Sequence, residues 1–210
     1  MKDIIIVGAG GFGREAVDLI SAINKVEPIW NIKGFIDDNL NALEKARFPY
    51  SVIGSIKGWQ PASDETFVIG IASPKVKEAV VTMLKERGAV FATLIHPFAN
   101  VSEWARIGEG CVVNGHASIG DGAVIGNYVH IAGSMIGQDS IIGDFSTTTG
   151  YTNIASARLG KRVMAGSHAV VLHGIWVGDD AVIGAGSIVV KNVKAGTTVF
   201  GNPAKKIELY

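Results

Sequence analysis

The chain has 210 residues, 48% of them hydrophobic, and its 19 Lys plus Arg balance 19 Asp plus Glu. With no block of like charge there is no electrostatic footprint for nucleic acid or an anionic membrane, and a single cysteine, Cys111, excludes a disulfide framework. No apolar run approaches a membrane span and the N-terminal apolar stretch is too short for a secretory leader, so the expected setting is cytoplasmic, with small molecules or copies of the chain itself as partners.

Ile4 to Val7 reads as a buried strand, Gly8-Ala9-Gly10-Gly11-Phe12-Gly13 as a glycine turn, and Arg14 to Ile20 as the helix it opens. A second strand, Ile32 to Ile36, ends at Asp37-Asp38. This is the start of an α/β Rossmann-like fold. Glycines there let backbone approach a phosphate at a helix N-terminus, and carboxylates at the next strand end can meet ribose or sugar hydroxyls. A glycine turn that only packs helix on strand is the plainer alternative. Nicotinamide binding fits less well, because a full dinucleotide fold needs two such halves. Here Phe67 to Ile71 and a helix from Lys75 to Arg87 complete only one, a size that suits a nucleotide-linked small substrate. Thr93 to His96 reads as the last strand, with His96 a junction residue, placing domains at 1–96 and 97–210.

From Ile107 onward an aliphatic residue recurs every sixth position, a period that fits neither a helix nor a plain strand. The starts are Ile107, Val113, Ile119, Ile125, Ile131, Ile136, Ile142, Thr148, Ile154, Leu159, Ala165, Val171, Val177, Ile183 and Val189, commonly followed by glycine. Each hexad predicts one short parallel strand plus a turn, three hexads closing a triangular coil that stacks on the next. Four residues after each start come mostly small or β-branched side chains, as a crowded corner requires. Met135 and Arg158 are the misfits, and each precedes a five-residue step. Cys111 falls at such a corner and reads as a small buried residue, not a nucleophile.

With the glycine turn, the Phe35-Ile36-Asp37-Asp38 strand end, the Ile95-His96-Pro97 junction, the hexads and a Gly201-Asn202-Pro203-Ala204-Lys205-Lys206 tail in this order, the chain resembles the bacterial sugar acyltransferases of the sialic-acid O-acetyltransferase type. That group includes N-acetyltransferases of nucleotide-linked 4-amino sugars. The resemblance implies a half-Rossmann domain followed by a left-handed parallel β-helix, a homotrimer, and acetyl-CoA as acyl donor in a groove between coils of neighbouring copies. It implies that Gly8, Gly10, Gly11 and Gly13 cradle the nucleotide phosphates, that Asp37 and Asp38 contact base, ribose or sugar, and that Ser73 lies on the same sheet edge. Gly166, Ser167, Ala185 and Gly186 would offer backbone to the pantetheine arm, and Gly201, Pro203, Lys205 and Lys206 would close over the nucleotide end of CoA. A solvated tail is the alternative for the two lysines.

The chain departs from the group at one position. Where relatives carry His-Glu-Cys before an aliphatic pair, glycine, an acid and Phe, this chain has Gln138-Asp139-Ser140-Ile141-Ile142-Gly143-Asp144-Phe145. An amide takes no proton at neutral pH, so general-base help of 10²–10⁴-fold is not available from Gln138. Gln138 retains hydrogen bonding, and Asp139 could orient a neighbour or hold a cationic amine. His130, one coil before the group's second active-site histidine position at Thr147, is the candidate base if a neighbouring copy brings it to the groove. His173 repeats the Gln138 position two coils on and reads as interface or groove lining, with a role as base the alternative; His116 and His168 read as surface or inter-subunit contact residues. A neutral amine needs no base to attack a thioester, whereas an alcohol does, so the missing histidine favours N-acylation or else no catalysis. The expectation is transfer of an acetyl group to a nucleotide-activated amino sugar for surface glycan synthesis; the alternative is a catalytically silent scaffold or sugar-nucleotide binding protein.

Overall fold

A computed structural model describes residues 1–46 and 48–208. The chain forms two compact units, Met1–Pro97 and Phe98–Tyr210.

In the first unit, strands β1 (Lys2–Val7), β2 (Trp30–Ile36), β3 (Val52–Gly54), β4 (Glu65–Ile69) and β5 (Val90–Phe91) form one parallel sheet in the order β3-β2-β1-β4-β5. Helices α1 (Gly11–Val26) and α2 (Pro74–Glu86) pack on it, burying Ala16, Val17, Leu19 and Ile20 from the first and Val81 and Leu84 from the second. Ile4 to Val7, Phe35, Ile36 and Phe67 to Ile69 are buried, the signature of strands covered on both faces. Sequence reading missed β3 and β5, which are too short to show a period, and ended the first helix too early. Asn24 explains the longer helix. Its Oδ1 accepts from the Ile29 and Trp30 N–H groups at 3.1 and 2.9 Å, and its Nδ2 donates to the Trp30 carbonyl at 2.7 Å, tying the end of α1 to the start of β2. After β3 the chain returns to the other side of β1, so the β1/β4 junction is a topological switch point, where open α/β sheets receive ligands.

The second unit is the parallel solenoid that the hexads require. Its first face carries Asn100–Val101, Ser118–Ile119, Met135–Ile136, Asn153–Ile154, Val170–Val171 and Ile188–Val189. The second carries Arg106–Ile107, Val124–Ile125, Ile141–Ile142, Arg158–Leu159 and Trp176–Val177. The third runs from Val112–Val113 through His130–Ile131, Thr147–Thr148, Met164–Ala165 and Val182–Ile183 to Thr198–Phe200, with Lys205–Lys206 returning antiparallel. The second residue of each pair points inward, and from Val113 to Val189 all are buried.

The two misfits resolve in a specific way. Met135 and Arg158 are exposed strand residues, and the inner corner passes one place back to Ser134 and Ala157, both buried. The polar corners bond to carbonyl oxygens of the next coil: Ser134 Oγ donates to Thr149 at 3.0 Å, Ser146 Oγ to Gly160 at 3.0 Å and Thr152 Oγ1 to Gly166 at 3.1 Å. A buried hydroxyl without such an acceptor would cost about 1–3 kcal/mol. Cys111 is buried, with its Sγ 3.0 Å from the Gly126 carbonyl oxygen, as a corner residue should be.

The edge between the second and third faces is a structural ladder. Asp144 Oδ1 accepts from the Asn127 N–H at 2.9 Å and Oδ2 meets Lys161 Nζ at 3.0 Å. Arg162 forks onto Asp180, and the Tyr128 and Phe145 rings stack at 5.2 Å. Partial burial pushes the Asp144 carboxyl up, but the Asn127 N–H and the Lys161 ammonium outweigh it and hold it below its ordinary value of 3.8. Because the folded state depresses this group, its stabilising contribution is present above the ordinary value and disappears as pH falls through the folded one. Asp144→Asn should therefore cost roughly 1 kcal/mol at pH 7 after allowance for solvent screening and almost nothing at the acid limit. Urea melts at pH 7 and pH 2.5 check this, and an equal deficit at both would contradict it.

Candidate active site

A cavity of about 450 Å³ opens at the switch point of the first unit. Gly8, Gly10 and Gly11 line it from the end of β1, Asp37 and Asp38 from the end of β2, and Gly70, Ile71 and Ala72 from the end of β4. Ile56, Val76 and Val80 contribute an apolar wall. The carboxylates are already engaged. Asp37 accepts from the Ala9 N–H through Oδ2 and from the Asn39 N–H through Oδ1, both at 2.8 Å. Asp38 accepts from the Lys57 N–H at 3.0 Å and pairs with Lys57 Nζ at 3.4 Å.

The glycines divide by role. A Cβ on Gly13 would overlap the Gly8 carbonyl oxygen, and one on Gly70 would come within 2.5 Å of Gly13 Cα, so Gly13 lets α1 approach the strands and does not line the cavity. A Cβ on Gly10 or Gly11 would meet nothing within 4 Å, leaving open space on the cavity side. The simple phosphate cradle expected over Gly8 to Gly13 is thus altered twice: Gly13 is a packing residue, and the Ala9 N–H holds a carboxylate that repels an anion. An apolar wall beside two carboxylates suits a nucleoside better than a phosphate at that point. Ser73 precedes α2 as its N-cap residue, is exposed and makes no side-chain cap, and only its neighbours Gly70 to Ala72 reach the cavity.

A second concavity, about 720 Å³, follows the edge between the first and second solenoid faces. Gln138, Asp139, Ser156, Arg158, His173, Gly174, Ile175 and Trp176 line it. Successive turns stack along this edge, with the Asp139 N–H on the Asp121 carbonyl at 2.9 Å and the Gly174 N–H on Ser156 at 3.1 Å. Sequence reading placed Gln138 and His173 two coils apart with His173 as interface or groove lining, and the two do line one cleft.

The other expected residues lie elsewhere. Gly166, Ser167, Ala185, Gly186, Gly201 and Pro203 follow one another up the edge between the third and first faces, Gly186 with a left-handed φ of +68° and open space where a Cβ would be. A Cβ on Gly166 would meet the Ala185 nitrogen at 2.6 Å, so that glycine serves coil spacing. Lys205 and Lys206 are exposed, Lys206 within 3.7 Å of Glu208. His130 is buried on the third face, in register with Thr147 on one side and Val112 on the other. In one protomer, therefore, His130 is not brought to Gln138: the whole second face separates them.

Comparison with known proteins fits this division. Residues 3–84 match the PglD N-terminal domain, and residues 116–150 and 156–191 match the bacterial transferase hexapeptide (six repeats). The GDP-perosamine N-acetyltransferase of Escherichia coli O157:H7 is 30% identical over 97% of this chain and 95% of its own length. Among solved structures, the acetyltransferase domain of PglB from Neisseria gonorrhoeae FA1090, in complex with acetyl coenzyme A, superposes with a TM-score of 0.85 at 25% identity, covering 98% of this chain and 99% of that one. A perosamine N-acetyltransferase from Caulobacter crescentus shares the fold with a TM-score of 0.88 at 21% identity over 100% of this chain and 98% of its own. With a full-length relative at that identity and both of its parts matched in order, this chain belongs to the hexapeptide-repeat family of bacterial sugar acetyltransferases.

Proposed function

We propose that the protein transfers the acetyl group of acetyl-CoA to the amine of a nucleotide-activated amino sugar, working in the cytoplasm as a homotrimer. End-to-end similarity to a GDP-perosamine N-acetyltransferase carries the reading of the reaction. The cavity at the β1/β4 switch point is of a size and lining for the nucleoside end of the acceptor. In the solenoid cleft, Gln138 could hydrogen-bond an acceptor amine and Asp139 could hold its ammonium form before deprotonation.

The division of residues among edges supports assembly. The proposed CoA residues Gly166, Ser167, Ala185, Gly186, Gly201 and Pro203 occupy one edge of the prism, Gln138 and Asp139 the next, and His130 and Thr147 the third face. About six residues of extended chain, roughly 20 Å, separate the first two edges. One protomer cannot offer both to a single thioester, whereas a neighbouring copy can set its glycine edge against the Gln138 cleft. Lys205 and Lys206 then meet the CoA phosphates as point charges.

The test combines the protein with acetyl-CoA and a panel of UDP-, dTDP- and GDP-linked 4-amino sugars. Thiol release is followed colorimetrically, products are weighed by mass spectrometry, and mass in solution is measured by light scattering. Expected are an acetamido product from at least one acceptor and a species of three protomer masses. Silence across the panel together with no CoA binding would instead favour the scaffold reading, and a monomer would remove the shared groove.

A further inference from the structure

Resting on the acetyl-transfer reading, we propose that His173 is the proton acceptor of the reaction, taking the place left by the amide at Gln138. The observation behind it is the shared cleft. Between the turn of Gln138-Asp139 and that of His173-Gly174 lies the five-residue step from Ile154 to Leu159, whose turn offers only Ala155 and Ser156 before the buried corner Ala157. Ser156 takes the left-handed conformation, φ +46°, one place earlier than in a full hexad. The shortened turn puts only the small Ser156 side chain in the cleft between the coils above and below. Gln138 and His173 therefore face one space across two coil steps, roughly 10 Å of backbone separation, which leaves an acceptor amine within reach of both.

The other histidines are placed for other work. His130 is buried on the third face, His116 and His168 stand on the edge between third and first faces with the His168 ring stacked on Tyr151 at 5.2 Å, and His96 belongs to the first unit. His173 is exposed to the cleft, and neither its ring nor the Gln138 amide has a hydrogen-bond partner among the described residues. A neutral imidazole carries a ring-nitrogen lone pair that can take a proton and return it. The charged groups facing it are Asp139 and Arg158 within the cleft, with Asp121 and Lys191 in the turns beyond at either end of the same edge.

In the step proposed, the neutral amine attacks the thioester carbonyl carbon. The C–N bond forms, the carbonyl π electrons move to oxygen, and the nitrogen becomes an ammonium. His173 takes one ammonium proton. The oxyanion then re-forms the carbonyl, the C–S bond breaks, and the departing thiolate recovers the proton from the imidazolium, leaving amide and CoA thiol. Gln138 Oε1 can accept from the amine before attack, which aligns the lone pair but moves no proton.

His173→Ala and His173→Asn are expected to lower kcat about a hundredfold, to leave the acetyl-CoA KM within about twofold, and to change the acid limb of the pH–rate profile, which in the variants keeps only the protonation of the acceptor amine. Asn keeps a hydrogen-bonding group without proton uptake, so its failure to rescue separates proton transfer from positioning. Gln138→His in the His173→Ala background should restore most of the rate by returning an imidazole to the other wall. His173→Ala with wild-type kcat and pH profile overturns the proposal while leaving acetyl transfer intact; a wild-type protein inactive on every acceptor removes both.

Discussion

Gly143→Val is expected to destabilise the solenoid by about 4 kcal/mol, seen as a fall in Tm of roughly 10 °C with loss of the strand signal in circular dichroism. A Cβ at Gly143 would lie 2.5 Å from both the carbonyl carbon and oxygen of Gly160 and 2.7 Å from the Lys161 nitrogen, all backbone of the next coil. Backbone cannot swing aside as a long side chain can, so relief requires prising apart the coils that meet at Ile142 and Leu159. Those coils are joined by the Ile141–Ile142 and Arg158–Leu159 pairing and by the Gly143 N–H on the Leu159 carbonyl at 2.8 Å. In a solenoid each coil is stabilised chiefly by its neighbours, so one broken seam weakens both sides. Gly186→Ala is the control. It has a left-handed φ of +68° but no atom within 4 Å of the new Cβ, so it should cost only about 1 kcal/mol. Equal melting of the two variants would mean that coil spacing is not what the glycine serves.

The same contrast explains what was legible in the sequence. The glycine that follows most start residues answers the close approach of the next coil, and the start residue answers the core; both recur with the hexad, so period six exposed them together. The left-handed position two residues later is less visible, because Asp139, Phe145, Tyr151, Arg162 and Asp180 occupy it as well as glycine. Only the sharing of a face is periodic. What lies in the turns is not, and the site lies in the turns. Gln138 was conspicuous only because a motif had a vacancy for histidine there. The cleft it shares with His173 depends on a missing residue at the Ile154–Leu159 step, which the sequence displays as a misfit at Arg158 without saying which space it opens. The distribution of the expected residues over different edges was likewise hidden, since hexads count along the chain and the proposed groove between copies would count across faces. In the first unit the glycine turn and strand ends located the cavity, but the identity of the group at the Ala9 N–H needed side-chain geometry.

That group bears on how the acceptor is held, and Asp37→Ala should lower kcat/KM for the nucleotide sugar about a hundredfold, mainly through KM, with the acetyl-CoA KM unchanged. The carboxylate bridges two backbone N–H groups, Ala9 in the glycine turn and Asn39 after β2, each at 2.8 Å. Charge-assisted bonds of this kind are worth about 1.5–3 kcal/mol each, and here they fix the turn that opens α1 against the end of β2 on the rim of the cavity. Removing them frees Gly10 and Gly11, whose open surroundings supply no packing to hold the turn in place. Under the proposed function the carboxylate would also accept from hydroxyls of a bound ribose, so its loss would act on binding twice. Asp37→Asn should behave nearly as badly, because one amide atom is a donor where both backbone partners are donors too. Isothermal titration of the nucleoside diphosphate alone reads the effect without turnover. Unchanged affinity in both variants would place the nucleotide away from the switch point, and equal losses for acetyl-CoA and nucleotide would point instead to general unfolding.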